Sequence, residues 1–282
     1  MRASLPRSDA TRLGGGPLTS WILGVRLDDV PSEERLREIC EGFLDGERTM
    51  RIFTPNPEIL LHAREDPGYA EVLNSADLAL PDGTGVALIE SIRSRRRVRR
   101  WPGVEIAALL LRMAAERGAT VAFVGGSDST AEHAAERWRR AAPGVRIETV
   151  GDGVVVAEDG AARPDERDLE LTRAVASLSP AIVLVGLGAP KQERWIARNA
   201  GAVPSARIMI GVGGAFDMWA GHRRRAPRLI RGMGLEWAWR LLLEPRRWPR
   251  ILRATIVFPV RALTDRGNRV APPPDGPDRP GQ

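Results

Sequence analysis

The sequence predicts an α/β fold: a Rossmann-like, mainly parallel sheet with helices on both faces, followed by a C-terminal basic amphipathic helical appendage. Three observations carry this. Short apolar runs alternate with amphipathic stretches of helical period, glycine-rich turns follow several of those runs, and positive charge gathers near the C-terminus. Strands buried on both faces read as continuous apolar runs, and the crossover between parallel neighbours is usually a helix.

The strand-like runs are 21–25, 51–54, 78–80, 120–124, 145–150, 182–185 and 207–210. The stretch 32–44 opens on Ser32 as a helix cap and sets Leu36, Ile39, Cys40 and Phe43 on one face. Stretches 104–117, 131–141, 165–178 and 190–199 repeat that pattern. These elements divide the chain into a disordered leader (1–19), an α/β catalytic domain (20–221), a basic amphipathic membrane-associating appendage (222–270) and a proline-rich disordered tail (271–282). No apolar run approaches the ~18 residues of a spanning helix, and the first residues hold no apolar signal core.

With Cys40 as the single cysteine among 282 residues, no internal disulfide and no cysteine-based metal cluster can form. His62, His133 and His222 lie far apart in sequence and read as surface or satisfied helix residues, which argues against a histidine-rich metal site. The net charge of +6 is uneven. Residues 222–270 hold thirteen arginines and three acids, a local +10, so the remainder sums to −4. Such a segment calls for an anionic partner: nucleic acid, an anionic membrane surface or a phosphorylated substrate.

Ligands of open parallel sheets bind beyond the C-terminal ends of the strands, so the residues that follow each strand are the informative ones. Thr54-Pro55-Asn56-Pro57-Glu58 combines two prolines, which fix an extended loop and permit a helix start, with a hydroxyl and an amide. Taken alone, a plain helix cap is the commoner explanation. Pro81-Asp82-Gly83-Thr84-Gly85 places a carboxylate at the sheet mouth as a general base, a ribose ligand or a cap. Gly125-Gly126-Ser127, Gly186-Leu187-Gly188 and Gly211-Val212-Gly213-Gly214 are ordinary turns or phosphate cradles at helix N-termini. Neither G-x-G-x-x-G nor G-x-x-x-x-G-K-[ST] occurs, which weakens the dinucleotide and P-loop readings. Lys191, the only lysine, and Gln192 open a helix, either to bond a sugar or phosphate or as solvated first-turn residues.

From His222 onward Trp and Leu alternate with Arg, and Pro245 and Pro249 divide the segment into short helices. Basic helices with Trp suit a membrane interface, where rings sit at headgroup depth and Arg meets anionic lipid. A core-packing helix with a solvated basic face is the commoner alternative for any one such helix.

Together the motifs are more specific than any one of them. TPNPE (Thr54 to Glu58), ADLALPDGTGVAL (Ala76 to Leu88), R-x-x-G at Arg100 to Gly103, FVGG (Phe123 to Gly126), GLGAPKQERWI (Gly186 to Ile196), GVGGAFDMWAG (Gly211 to Gly221), RRAP (Arg224 to Pro227) and GLEWAWRLLLEPRR (Gly234 to Arg247) occur in this order. On these residues the chain resembles the WecG/TagA/CpsF family of bacterial glycosyltransferases from about Trp21 to Pro259.

The resemblance implies a metal-independent, inverting transferase without a cofactor. It would move a sugar from a UDP-sugar to a polyprenyl-diphosphate-linked saccharide at the inner face of the cytoplasmic membrane, in cell-surface polysaccharide or teichoic acid synthesis. The sugar would be N-acetylmannosamine, its uronic acid, or glucose. By the resemblance Asp82 is the general base, Thr54 and Asn56 position the acceptor sugar, Gln192 orients the sugars and Arg100 is a pocket arginine. Gly125, Gly126, Gly213 and Gly214, with Asp217, would hold UDP, and Arg225, Arg240 and Arg247 would face the leaving diphosphate. The sequence agrees on the metal, since no D-x-D stands at a strand end. One departure touches the sugar-facing loop: Glu105 stands where the family commonly has Asp, and Trp101-Pro102 replace a small polar pair.

Two other classes compete. A Rossmann-type nucleotide-binding dehydrogenase fits the α/β pattern but lacks the fingerprint. A nucleic-acid binder fits the basic segment but not its Trp–Leu content or the acidic remainder, so no nucleic-acid partner is expected. A homo-oligomer is compatible with the sequence.

Overall fold

The computed structural model describes residues 18–154, 166–222, 226–227, 229–230, 236–243 and 248–265. The leader from 1 to 17 and the tail from 271 to 282 lie outside the described residues. Leu18 and Thr19, assigned to the leader from sequence, open strand β1.

Strands β1 (Leu18–Ile22) and β2 (Val25–Asp29) form an antiparallel hairpin apart from the main sheet. The sequence reads 21–25 as one strand; the structure instead turns the chain there. Leu23 and Gly24 take φ of +51° and +84°. Positive φ at both central residues matches the twist of a two-residue hairpin, but a leucine there gives no sequence signal. The hairpin is held by Ser20 Oγ, which donates to buried Glu90 at 2.5 Å, and by the Arg26 amide, which donates to Asn74 Oδ1 at 2.8 Å.

The main sheet follows the predicted runs closely. In chain order it contains β3 (Met50–Phe53), β4 (Leu78–Ala79), β5 (Thr120–Gly125), β6 (Arg146–Val150), β7 (Ile182–Gly186) and β8 (Ile208–Gly211). They lie in the order β4-β3-β8-β7-β5-β6, and every neighbouring pair is parallel. The helices are α1 (Glu33–Leu44), α2 (Pro57–Glu65), α3 (Pro67–Asn74), α4 (Thr84–Ser94), α5 (Gly103–Arg117), α6 (Thr130–Ala141), α7 (Glu166–Ser177), α8 (Lys191–Asn199) and α9 (Ala215–Ala220). Toward the C-terminus come α10 (Glu236–Leu243), α11 (Trp248–Leu252), a π-helical turn (Arg253–Val257) and α12 (Phe258–Thr264). Ser32 caps α1 as expected, its side chain accepting from the Arg35 amide.

Alternation along each strand builds two cores. Phe53, Val124, Val183, Val185 and Met209 point to one side, where Leu60, Tyr69, Val86, Trp195 and Phe258 cover them. Ile52, Phe123, Leu184 and Ile210 point to the other, against Leu36, Cys40, Leu110, Met113 and Phe216. Cys40 is fully buried, and burial pushes its thiol up to about 12.

The last helices dock on the domain. Phe258 and Ala262 of α12 are buried in the first core. Glu65 at the end of α2 accepts from Arg253 at 2.8 Å and from Arg261 at 3.2 Å, and Arg64 pairs with Asp265 at 3.1 Å. Arg93 of α4 donates to the Ala262 carbonyl at 3.1 Å. The far end of the basic segment thus rests on α2 and α4, the two helices that spring from the loops after β3 and β4. Among the described residues, no helix is long and apolar enough to cross a membrane.

Candidate active site

Three loops converge where β3, β4 and β8 end. The loop after β4 is tied to the loop after β3 by the Asp82 amide, which donates to the Pro55 carbonyl at 3.1 Å. The third loop joins through the Trp101 amide, which donates to the Pro81 carbonyl at 2.8 Å. Gly103 opens α5 against Thr54: a Cβ on Gly103 would stand 3.0 Å from Thr54 Oγ1 and 3.6 Å from the Gly211 carbonyl. Thr54, Asp82 and Arg100, far apart in sequence, are therefore held by one connected set of loops. All three are half-buried at the sheet mouth.

The cap alternative is resolved for the amide candidate. Asn56 is a cap: its Oδ1 accepts from the Ile59 amide at 3.0 Å and starts α2, with Pro57 in the first turn. Before α4 the cap position falls on Gly83, at φ +90°, directly after Asp82. That conformation disfavours any residue with a Cβ, and Pro57 Cδ packs 3.4 Å from where one would be. The turn places Asp82, half-buried, at the mouth of the sheet.

Gln192 is only 5% exposed, so a solvated first-turn role is excluded. Its Oε1 accepts from the Gly213 amide at 2.9 Å, and its Nε2 donates to Glu193 Oε1 at 2.7 Å. It crosses Gly211 so closely that a Cβ there would meet Nε2 at 2.7 Å. Glu193 Oε2 accepts from the Tyr69 hydroxyl at 3.0 Å. Burial raises the Glu193 carboxyl above its ordinary range, against the opposing hydrogen bonds from Gln192 and Tyr69. Burial and the Glu193 charge push the Tyr69 hydroxyl upward, so it remains a donor. This buried chain from α3 through α8 to the β8 turn braces the site floor. The sequence gives no signal for Tyr69 and Glu193, which are 124 residues apart.

The other half of the sheet edge is built from glycine. Gly125, Gly126, Gly188 and Gly213 all have positive φ. A Cβ on Gly186 would strike the Phe216 ring at 2.6 Å, and one on Gly125 would strike Leu187 at 2.7 Å. Phe216 also stacks on Phe123 with centroids 4.7 Å apart, which fixes α9 and its half-buried Asp217. Several amides here are already committed: Ser127 to Thr130 Oγ1 at 3.1 Å, Ser129 to Asp152 at 3.1 Å, and Gly213 to Gln192. Beyond this half, at the end of β6, a cavity of about 450 Å³ is lined by Gly151, Asp152, Gly153, Arg167, Glu170 and Leu171, among others.

The remaining predicted residues divide. Glu105 is exposed in the first turn of α5. Arg240 lies on α10, while Arg225 and Arg247 lie outside the described residues. His62 and His133 are on helices as expected, and the fold brings the rings of His133 and His222 to 5.9 Å. Among the described residues, no three His, Cys, Asp or Glu side chains group as metal ligands would.

Comparison with known proteins points one way. The model of the "Glycosyl transferase WecG/TagA/CpsF family" matches residues 20–271. An N-acetylglucosaminyldiphosphoundecaprenol N-acetyl-beta-D-mannosaminyltransferase of Bacillus spizizenii is 35% identical over 229 residues, which cover 80% of this chain and 85% of the relative. The Bacillus subtilis protein of the same name is 32% identical over 222 residues, 79% and 81% of the two chains. One from Staphylococcus aureus is 29% identical over 234 residues, 82% and 86% of the two.

Proposed function

The chain belongs to the WecG/TagA/CpsF glycosyl transferase family, and we propose that it moves an N-acetylmannosamine-type sugar from a UDP-sugar to a polyprenyl-diphosphate-linked saccharide. The acceptor class follows from the relatives' names, which specify transfer of N-acetylmannosamine to N-acetylglucosaminyl-diphosphoundecaprenol. The uronic acid of that sugar and glucose are the other donors the family resemblance allows.

The observation that carries the reading is the set of loops that holds Asp82 beside Thr54 and Arg100 at the mouth of the sheet, through the bonds from the Asp82 amide to Pro55 and from the Trp101 amide to Pro81. In the proposed reaction Asp82 takes the proton of the acceptor hydroxyl as that oxygen attacks the anomeric carbon. The bond from that carbon to the UDP oxygen breaks on the opposite face, UDP leaves with the electron pair, and the anomeric configuration inverts. Thr54 and Arg100, joined to Asp82 through the loops, position the acceptor. Asn56 contributes through the shape it gives the α2 start, and Gln192 through the backbone it holds at Gly211 and Gly213. The glycine half, with Gly125, Gly126, Gly214 and Asp217, receives UDP. Gly213 contributes its turn, since its amide is bonded to Gln192. Without a metal, the diphosphate charge is met by C-terminal arginines, for which Arg225, Arg240 and Arg247 stand as candidates. The enzyme works as a peripheral protein on the anionic inner face of the membrane, through the basic segment from 222 to 270.

The test is a screen of UDP-sugars with a synthetic lipid-diphosphate acceptor, read by mass spectrometry. Transfer should persist in EDTA. Asp82→Asn should slow it by roughly 10²–10⁴-fold with UDP binding unchanged. Near-normal turnover by that variant would remove Asp82 from the role of base, and strict dependence on Mg²⁺ would end the metal-free reading.

A further inference from the structure

Helix α4 carries a feature that the reaction leaves unused. It begins right after Asp82 and Gly83, and its end and the residues after it carry five arginines among the seven residues from Arg93 to Arg99, with no acid between them. Arg96 pairs with Asp29 at 3.7 Å, Arg99 stacks over the Trp101 ring at 4.3 Å, and Arg93 bonds Ala262. Arg95 and Arg97 are exposed. On the same helix Leu88 and Ile92, one turn apart, are exposed as well.

The neighbouring C-terminal helices repeat the pattern. While Phe258 and Ala262 bury one side of α12 against the domain, Leu252, Ile256, Val260 and Leu263 stay on the surface at helical spacing. Together with Leu88 and Ile92, these side chains are between 42% and 57% exposed. Two adjacent helices, one from the catalytic domain and one from the basic segment, thus leave apolar side chains in water beside a run of arginine.

We infer that α4 and the arginines after it are a second bilayer-contact element, which acts with α11 and α12 to seat the catalytic domain on an anionic membrane surface. This deepens the proposed function and rests on it for the identity of the lipid-linked acceptor. The chemistry selects the occupant. Apolar side chains flanked by arginine match the boundary between acyl chains and anionic headgroups. A two-fold contact between copies would turn the arginine run toward its own image, and like charges would oppose it. A nucleic acid would leave the apolar residues without a role. The arrangement also suits the chemistry. The eleven residues of α4 span about 16 Å, so the Asp82 loop stands about one helix length from the arginine end.

The test uses the full chain and two double variants, Leu88→Ser with Ile92→Ser, and Arg95→Asn with Arg97→Ser. Asparagine suits position 95, where φ is +53°. Co-sedimentation is measured with vesicles of phosphatidylcholine alone or with about a third phosphatidylglycerol. Each arginine near an anionic surface is worth about five-fold in binding, so the arginine variant should bind the anionic vesicles roughly 25-fold more weakly. The leucine–isoleucine variant should weaken binding as well, and both should keep the wild-type melting temperature. Both should also retain transfer to a water-soluble, short-chain diphosphate acceptor while losing transfer to long-chain acceptor in vesicles. Wild-type vesicle binding by both variants would overturn the inference. A fall in oligomer mass by sedimentation velocity, with vesicle binding intact, would assign the face to a second copy and overturn it too. If no acceptor of any chain length is glycosylated by the wild type, the functional reading fails, while the vesicle result still decides the bilayer contact.

Discussion

The two halves of the sheet's C-terminal edge are made of different material. Around β3 and β4 the loops present side chains: Thr54, Asn56, Asp82 and Arg100, set between prolines. Around β5, β7 and β8 the turns present backbone, because Gly125, Gly186 and Gly211 sit where a Cβ would collide with Leu187, Phe216 and Gln192. In the proposed reaction the first half takes a proton and sorts hydroxyl groups, for which side chains of chosen chemistry suit. The second would admit a bulky charged diphosphate, for which close approach and shape suit. The Gln192–Glu193–Tyr69 chain ties the β8 turn to α8 and α3 beneath the site.

The comparison can be broken at each part. The largest effect on stability is expected on the side-chain half. Phe258 is fully buried beside Gly85, in the first turn of α4 three residues after Asp82. Phe258→Ala should cost about 3–5 kcal/mol of folding stability, read from the denaturant midpoint. A wild-type midpoint would show that α12 is an accessory of the domain and not part of its core. On the glycine half, Gly186→Ala should cost roughly 1–3 kcal/mol through the clash with Phe216 and weaken UDP binding more than acceptor binding. Equal losses for both ligands would mean that the halves do not divide the substrates as proposed.

The bridge should show the smallest change, as a pH dependence. Burial raises the folded-state value of Glu193 above its unfolded one. Its stabilising contribution is then full below the ordinary carboxylate range and is lost as pH rises through the folded value. Melting temperatures of the wild type should therefore fall, relative to Glu193→Gln, from acid toward neutral pH. Parallel curves for the two proteins would dismiss the strained bridge.

Much of this was legible in the sequence because it is local. Strand runs, Ser32 as a cap, and glycines after strands follow from neighbours along the chain, and the predicted strands of the main sheet stand within about two residues of their places. The misses are of two kinds. Leu23 takes a backbone conformation that leucine rarely adopts, so the hairpin turn looked like strand. The roles of Gln192 and Glu193 depend on partners that only the fold supplies: Gly211, Gly213 and Tyr69 come from elsewhere in the chain, and from sequence Gln192 reads either as a sugar or phosphate ligand or as a solvated first-turn residue. That Asn56 caps α2 while the cap position before α4 falls on Gly83 likewise needed the backbone, because Asn and Asp both cap helices well.

Cys40 has a practical consequence. It is the only cysteine in the chain, fully buried, and its thiol is held up at about 12. At neutral pH it is almost entirely protonated and out of reach of alkylating reagents. The native protein is in effect already a cysteine-free background for spectroscopy. A single thiol introduced at Ile92 or Val260 would take a spin label or an environment-sensitive fluorophore without first removing anything. Quenching by bromolipids at graded depths could then report how far each helix enters the bilayer.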